Sequence, residues 1–179
     1  MAGASLAEIG ELAGFSRGLP AHLFGNKDRL LAECLRRMID DYWLGDLPPV
    51  GAEGGFASLA AAIRKWIADL SLYPERTRAH ALLLQEAHMA DAGSKFPTLM
   101  ETIRAHASSS ERQFSAYIAA GLAAGEIDPG LDPAFEALII HSTLRGVTLR
   151  WLLDPASIDV ERFAEPYVAR LAAYMVRAG

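Results

Sequence analysis

Apolar residues recur along the chain at helical spacing, and no segment shows the strict alternation that predicts a β-strand. At the N-terminal end the pattern predicts two short helices, at about 6–12 and 16–24, and a longer helix that begins after Asn26. Ser5 fits the N-cap of the first helix because Glu8 follows three residues later, as in a capping box. The chain is therefore expected to begin with three closely spaced helices.

A linker and a larger helical body follow. The segment 47–55, "LPPVGAEGG", holds two prolines and three glycines, which is typical of a linker. Beyond it the pattern predicts five helices, at about 56–72, 74–91, 97–123, 133–153 and 159–177. Pro166 is expected either to kink the last helix or to mark its true start. The predicted fold is all-α, with one domain at 1–46 and a second at 47–179.

Composition narrows the class of protein. The 179 residues are 51% hydrophobic, which is enough for a core and too much for a disordered chain. The single cysteine, Cys34, excludes an internal disulfide and lies at helical spacing among leucines, so we expect a buried thiol in a reducing compartment. No stretch of about 18 apolar residues and no signal peptide is evident, so we expect a soluble cytoplasmic protein without a membrane partner.

The charge is unevenly spread. A net charge of −5 argues against non-specific binding of nucleic acid. Residues 1–37, however, hold five basic and four acidic residues, whereas the remainder holds twelve basic and eighteen acidic residues. A polyanionic partner is therefore expected at the N-terminal end. Acids in the helical body, such as Glu111, are expected to lie on solvated helix faces.

The three N-terminal helices have the layout of a helix-turn-helix unit, in which the second helix enters the DNA major groove. Ser16, Arg17 and His22 would supply its polar outer face, and the glycines would let the backbone approach phosphate. An arginine in this position can bond guanine bidentately. The inner face is thin and apolar, and it consists of Leu19, Leu23 and Phe24.

The string "SLAEIGELAGFSRGLPAHLFGNKDRLL", residues 5–31, resembles the helix-turn-helix signature of TetR/AcrR-type transcriptional regulators. Eight residues match the signature in register: Ile9, Ala13, Gly14, Ser16, Gly18, Phe24, Lys27 and Leu30. Pro20, Ala21 and Leu23 depart from it, since the family has an apolar residue, a phosphate-binding Tyr and a His there. The resemblance implies DNA contacts from Ser5, Ser16, Arg17, Gly18, Ala21, His22 and Lys27. Base readout would then rest mainly on Arg17 and His22, and Lys27 would bind phosphate.

The family also places a complete helix before the one that starts at Ser5. We expect an amphipathic helix to be encoded upstream of Met1, because without it four apolar side chains lose part of their cover. These side chains are Leu6, Ile9, Leu23 and Phe24. The alternative is a helical small-molecule-binding or interaction protein that has lost DNA binding.

In outline the resemblance extends over the whole chain. It implies that the last two helices form a four-helix bundle with a second copy, and the interface candidates are Leu138, Val147, Leu171 and Met175. It also implies that the middle helices enclose an apolar pocket for a small molecule. The pocket is expected near Trp66, Leu84, His88, Phe114, Tyr117 and His141.

We therefore expect a ligand-responsive repressor that binds double-stranded operator DNA as a homodimer and is released by a small apolar effector. No Ser-His-Asp, HExxH, Walker or GxGxxG string occurs, so neither an enzyme with a catalytic site nor a cofactor is expected. His80 and His88 lie eight residues apart, whereas a metal site on a helix needs a spacing of about four. No metal site is expected.

Overall fold

A computed structural model of the chain describes residues 4–40, 47–50, 54–89 and 95–177, without the side chains of 86–89. Within these ranges the chain forms eight α-helices, labelled α1 to α8 in chain order. They run over Leu6–Leu12, Leu19–Phe24, Lys27–Met38, Gly55–Leu72, Pro74–Met89, Pro97–Ala123, Pro133–Leu153 and Val160–Met175. A short 3₁₀ helix, Pro155–Ser157, follows α7. No β-strand occurs in the described ranges, which confirms the all-α fold class.

Side-chain caps start several of these helices where the sequence predicted. The backbone N–H of Glu8 donates to Ser5 Oγ at 3.3 Å, and the N–H of Ser5 donates to Glu8 Oε2 at 2.6 Å. Asn26 Oδ1 accepts the N–H of Arg29 at 2.9 Å and so begins α3. Each cap satisfies an N–H group that has no partner inside its own helix. In the last helix, α8 continues through Pro166.

The chain folds as two compact units, which differ from the predicted domains. The first unit holds residues 1–42 and 79–106, and the second holds 43–78 and 107–179. The C-terminal part of α5 and the N-terminal part of α6 therefore pack with the helix-turn-helix segment. The helix α6 is continuous across the boundary between the two units.

The carboxylate of Asp28 joins α3 to the start of α6 inside the first unit. Its Oδ1 accepts the N–H of Leu99 at 2.9 Å, and its Oδ2 accepts the N–H of Thr98 at 3.0 Å. Because these N–H groups belong to the first turn of α6, Asp28 acts as an N-cap supplied by another helix. Burial raises the pKa of Asp28, but the hydrogen bonds from Thr98 and Leu99 outweigh it and hold that pKa below its usual value.

The buried face of α3 shows why the prediction of a buried cysteine is wrong. This face follows Asp28, Ala32, Leu35 and Ile39, at the i, i+4, i+7 and i+11 spacing of one helix side. Cys34 lies off that face and is exposed. Partial burial, together with the neighbouring Glu33, still raises the pKa of the Cys34 thiol and keeps it protonated.

The core of the second unit is built from α4, α7, α8 and the C-terminal part of α6. Its fully buried side chains include Leu59, Ile63, Ile67, Phe114, Tyr117, Ile118, Ile140, Leu144 and Met175. The start of α4 lies against α6 at Gly55, where a Cβ would overlap the backbone of Gly121. Only glycine permits this close approach.

Candidate nucleic-acid interface and ligand cavity

The helix α2 lies close to α1 because glycine occupies a buried position of α1, Gly10, and a position of the turn, Gly14. A Cβ at Gly10 would lie 2.8 Å from the carbonyl oxygen of Ser16 and 3.0 Å from Cδ of Pro20. Gly14 has φ +79°, a left-handed conformation that glycine adopts without strain. The sequence thus brings α2 close against α1, as a helix-turn-helix unit requires.

The helix α2 begins at Leu19, so its predicted start at residue 16 is wrong. Gly18 is the N-cap and makes no side-chain capping bond, and Pro20 falls in the first turn. Proline lacks an N–H and is favoured in the first turn of a helix, where that N–H would have no partner, so Pro20 favours a start of α2 near Leu19. Ser16 and Arg17 therefore precede the helix, with the Ser16 carbonyl accepting the N–H of Leu19 at 3.1 Å.

Five of the predicted DNA-binding residues lie together on the exposed side of this turn and helix: Ser16, Arg17, Gly18, Ala21 and His22. The side chain of Arg17 is 70% exposed, and its Nη1 lies 3.4 Å from Glu11 Oε1. An ion pair this exposed contributes little to stability, so Arg17 is able to exchange the Glu11 carboxylate for another acceptor. Ser5 is also exposed and caps α1.

Basic side chains continue along α3. Lys27 is half-buried at the first position of the helix, and Arg29 is exposed in the same first turn. Near the other end, Glu33 forms ion pairs with Arg36 and Arg37, the latter at 3.0 Å. The positive charge beside α2 therefore comes from Arg17 and the first turn of α3.

The helix-turn-helix segment also exposes apolar side chains. Leu12, Phe15 and Leu23 are exposed, and Leu6 and Ile9 are half-buried. The sequence predicted incomplete cover for Leu6, Ile9, Leu23 and Phe24. Leu23 is exposed and the other three are half-buried. An apolar surface therefore lies beside the turn in the first unit.

In the second unit, three of the predicted ligand-binding residues form an aromatic cluster. The Trp66 ring centroid lies 5.7 Å from that of His141 and 6.5 Å from that of Phe114, and Phe114 and His141 are 6.5 Å apart. Tyr117 is fully buried in the same unit and donates a hydrogen bond to the carbonyl of Pro48. The structure therefore brings together residues of α4, α6 and α7 that are far apart in sequence.

The other two predicted ligand-binding residues are not part of this cluster. Leu84 belongs to the first unit, and the side chain of His88 lies outside the described residues. Beside the cluster is a cavity of about 20 Å³, lined by Leu47, Ala62, Lys65, Trp66, Asp69, Ser110 and Phe114. This volume accommodates about one water molecule, so a larger ligand requires movement of the lining side chains.

His141 brings polar chemistry into the aromatic cluster. Its Nδ1 lies 3.1 Å from Glu111 Oε1, so the Glu111 side chain, which is 37% exposed, also has a partner inside the fold that the sequence did not predict. Burial lowers the pKa of His141 and Arg145 acts in the same direction, while the hydrogen bond with Glu111 opposes both. The imidazole is therefore neutral near pH 7.

A polar group that lines the cavity, Asp69, was not identified from the sequence. The buried carboxylate of Asp69 accepts from Lys65 Nζ at 2.9 Å and lies 3.4 Å from Arg76 Nη2. The Arg76 guanidinium also covers the ring of Tyr73, 4.0 Å from its centroid. The i, i+4 spacing of Lys65 and Asp69 was visible in the sequence, but the approach of Arg76 depends on the turn between α4 and α5.

The predicted dimer residues divide between surface and core. Leu138 is 46% exposed, whereas Val147, Leu171 and Met175 are buried in the core of the second unit. In this structure those three side chains pack against their own chain. For Val147 the reason is that α7 is apolar on more than one side, so its pattern did not distinguish the core side from the outer side.

Two further kinds of site are absent from the described ranges. No helix there is both long and apolar enough to cross a lipid bilayer. No group of three or more His, Cys, Asp or Glu side chains is placed to hold a metal ion in that part of the chain. His80 and His106 instead contact each other edge to face, with ring centroids 5.9 Å apart.

Comparison with known proteins gives one sequence relative and several structural relatives, and no protein-family model matches the chain. Over 43 residues the chain is 42% identical to the HTH-type transcriptional regulator BetI of Paraburkholderia phytofirmans, a match that covers 24% of this chain and 22% of BetI. The SmeT–triclosan complex superimposes with a TM-score of 0.80 at 23% identity, covering 99% of this chain and 84% of SmeT. A putative TetR-family transcriptional regulator from Rhodococcus sp. superimposes with a TM-score of 0.79 at 21% sequence identity. That match covers 97% of this chain and 88% of the Rhodococcus protein.

The structural likeness therefore extends over nearly the whole chain. NalD of Pseudomonas aeruginosa, described as a repressor of a multidrug efflux pump, gives a TM-score of 0.76 at 20% identity and covers 99% of this chain and 87% of NalD. Together these matches confirm the resemblance read from residues 5–31. The chain has the fold of the TetR-family transcriptional regulators, with an N-terminal helix-turn-helix and a larger helical part.

Proposed function

We propose that the chain is a transcriptional repressor that binds double-stranded operator DNA as a homodimer and is released by a small-molecule effector. The observation that carries this proposal is the exposed turn before α2, with Arg17 and His22 on the outer face of a helix-turn-helix unit. The repressors SmeT and NalD, which share the fold, support it. The protein then acts in the cytoplasm, on DNA, and is not an enzyme.

In this proposal α2 lies in the major groove and Arg17 reads a base edge there. A guanidinium can donate hydrogen bonds to the O6 and N7 atoms of guanine at the same time. The exposed ion pair between Arg17 and Glu11 does not prevent this contact. Lys27 binds a phosphate and so positions the unit without reading sequence. The functional division is 1–46 for DNA and 47–179 for effector and dimer, although residues 79–106 pack with the first of these.

The dimer surface is proposed on the outer sides of α7 and α8. Large apolar side chains are exposed there: Phe135, Leu138, Ile139, Leu149, Leu153 and Tyr174. We call this set the α7–α8 face. Exposed apolar surface of this kind is typical of a subunit interface. A dimer in turn places two α2 helices about 34–36 Å apart, as successive turns of the major groove require.

Release by an effector needs a link between the aromatic cluster and the DNA-binding helices. The helix α6 is one candidate because its residue Phe114 belongs to the cluster, while Thr98 and Leu99 at its start are held by Asp28 of α3. An effector that binds better when the two α2 helices are wrongly spaced shifts the population away from DNA. SmeT has been crystallised with triclosan, a small molecule, which supports an effector for this chain also.

Selection from a random duplex pool tests the proposal. The full chain is incubated with the pool, and bound duplexes are recovered and sequenced over several rounds. We expect an inverted repeat, because a two-fold dimer reads the same half-site twice, with half-sites about one helical turn or a multiple apart. Recovery of no enriched sequence would contradict the proposal and favour a helical ligand-binding protein without DNA binding.

A further inference from the structure

The imidazole of His141 carries a polar atom that the described chain does not pair. His141 is only 5% exposed, and its Nδ1 is engaged by Glu111 at 3.1 Å. Its Nε2 is buried and has no hydrogen-bond partner among the described residues. Since nearly all buried polar atoms in proteins are hydrogen-bonded, this nitrogen is the polar group of the aromatic cluster that suits a ligand.

The partner of Nδ1 determines what Nε2 can do. The Glu111 carboxylate only accepts hydrogen bonds, so Nδ1 carries the proton and donates it. Burial and Arg145 keep the pKa of His141 low, so the ring holds no second proton. Nε2 therefore presents a lone pair, and it accepts a hydrogen bond from a ligand that carries an O–H or N–H group.

The two rings that pack against the His141 imidazole select the rest of the ligand. Trp66 and Phe114 flank the imidazole, with interplanar angles of 80° and 70°. The indole N–H of Trp66 is already donated to Thr148 Oγ1 at 3.1 Å, so both flanking rings offer apolar surface. Aromatic rings pack well edge to face at such distances. Trp66 is half-buried and lines the cavity beside the cluster, so a movement of its side chain would enlarge that cavity.

We propose that this cluster binds a small aromatic molecule with a hydroxyl group, whose ring packs against Trp66 and Phe114 and whose O–H donates to His141 Nε2. That this molecule is the effector rests on the proposed repressor function. That the cluster binds it does not. A methyl ether of the same molecule lacks the donor. A carboxylate brings only acceptors and would face the Nε2 lone pair.

Titration calorimetry of the full chain tests this with three probes: 4-ethylphenol, its methyl ether and 4-ethylbenzoate. We expect the phenol to bind about tenfold more tightly than the ether, because a site with a buried acceptor rejects the analogue that leaves it unpaired. His141→Phe, which keeps an aromatic ring and removes the acceptor, should bring that ratio to about one. Arg104→Gln, at an exposed position of α6, is the matched control and should retain the preference.

Equal affinity for the phenol and the ether, preference for the benzoate, or no binding of any probe would each overturn the inference. The comparison of probes uses the unaltered chain, so it stands even where His141→Phe fails to fold. Duplex binding is measured on the same samples without probe. Specific duplex binding without a phenol preference overturns only the assignment of this ligand. A phenol preference without duplex binding overturns the repressor function and leaves the ligand site in place.

Discussion

Removing the Asp28 carboxylate should loosen the junction between α3 and α6 in the first unit. Asp28 is 9% exposed, and its carboxylate accepts two backbone N–H groups from the first turn of α6, at 2.9 and 3.0 Å. Phe96, which precedes α6, has no side-chain oxygen, and Pro97 has no N–H. Asp28 is therefore the side chain that caps this helix, and its charge also suits the positive N-terminal end of the helix dipole.

The size of the effect follows from these two bonds. Asp28→Ala leaves both N–H groups without their acceptor, which costs about 2–3 kcal/mol on the scale of capping bonds and of hydrogen bonds to charged groups. Asp28→Asn keeps one acceptor oxygen but loses the charge and turns a donor toward the second N–H, so it costs about 1–2 kcal/mol. For a chain of this length, each kcal/mol lowers Tm by about 2–4 °C.

Thermal unfolding followed by circular dichroism measures both variants, with Glu101→Gln as the control. Glu101 is an exposed carboxylate on α6, so its removal should change stability by less than about 0.5 kcal/mol. A Tm for Asp28→Ala that equals the Tm of Glu101→Gln would refute the capping role. Equal losses for Asp28→Asn and Asp28→Ala would show that the charge, rather than the geometry of the two bonds, provides the stabilisation.

The pH dependence gives an independent check. The pKa of Asp28 in the folded chain lies below its usual value, so folding favours the ionised carboxylate. The stability that it contributes is complete above the ordinary aspartate pKa of about 3.9 and is lost as the pH falls through the lower folded value. The difference in free energy of unfolding between the wild type and Asp28→Asn should therefore be constant near neutral pH and shrink in this acidic range. A difference that grows as the pH falls would contradict the assignment.

Further predictions concern the DNA-binding surface, the dimer and the core. Arg17→Ala should weaken binding to the selected operator by about 1–3 kcal/mol while the dimer persists, and an unchanged gel-shift titration would reject its role in base readout. Lys27→Ala should weaken binding to all duplexes alike and reduce the salt slope by about one, whereas a loss confined to one base position would contradict a phosphate contact. Leu138→Asp on the α7–α8 face should give monomers in sedimentation velocity, and a persistent dimer would place the interface elsewhere. Gly55→Ala should destabilise the chain by about 1–3 kcal/mol, because its Cβ would overlap the backbone of α6. Gly146→Ala, whose Cβ would meet nothing within 4 Å, is the control and should stabilise the chain by about 0.5–1 kcal/mol. Equal denaturation midpoints for the two variants would disprove the close approach of α4 to α6.

Features set by neighbouring residues were predicted well from the sequence. The cap of α1 depends on Ser5 and Glu8, which are three residues apart, and the cap of α3 depends on Asn26 alone. The start of α2 was predicted near residue 16, whereas Pro20 lies in the first turn of the observed helix, where its missing N–H leaves no hydrogen bond unmade.

Features set by tertiary contacts were not accessible in this way. Asp28 caps a helix 70 residues further along the chain, and periodicity carries no signal for such a contact. The sequence predicted His141 among aromatic residues but not its contact with Glu111. A half-exposed acid that contacts another helix and a fully exposed acid occupy the same kind of position in the hydrophobic pattern, so the pattern does not distinguish them. On α7, Val147 and Leu138 are equally apolar, so the sequence could not tell which one meets the chain's own core.

The specificity of the full chain for DNA tests the central claim most directly. Fluorescence anisotropy at fixed salt compares a duplex taken from the selection with a scrambled duplex of the same length and composition. For a dimeric repressor that reads bases through the α2 region, the predicted Kd is about 10⁻⁸–10⁻¹¹ M for the selected duplex, at least about 10³-fold tighter than for the scrambled one. Equal affinity for the two duplexes, or no binding to either, would contradict the claim.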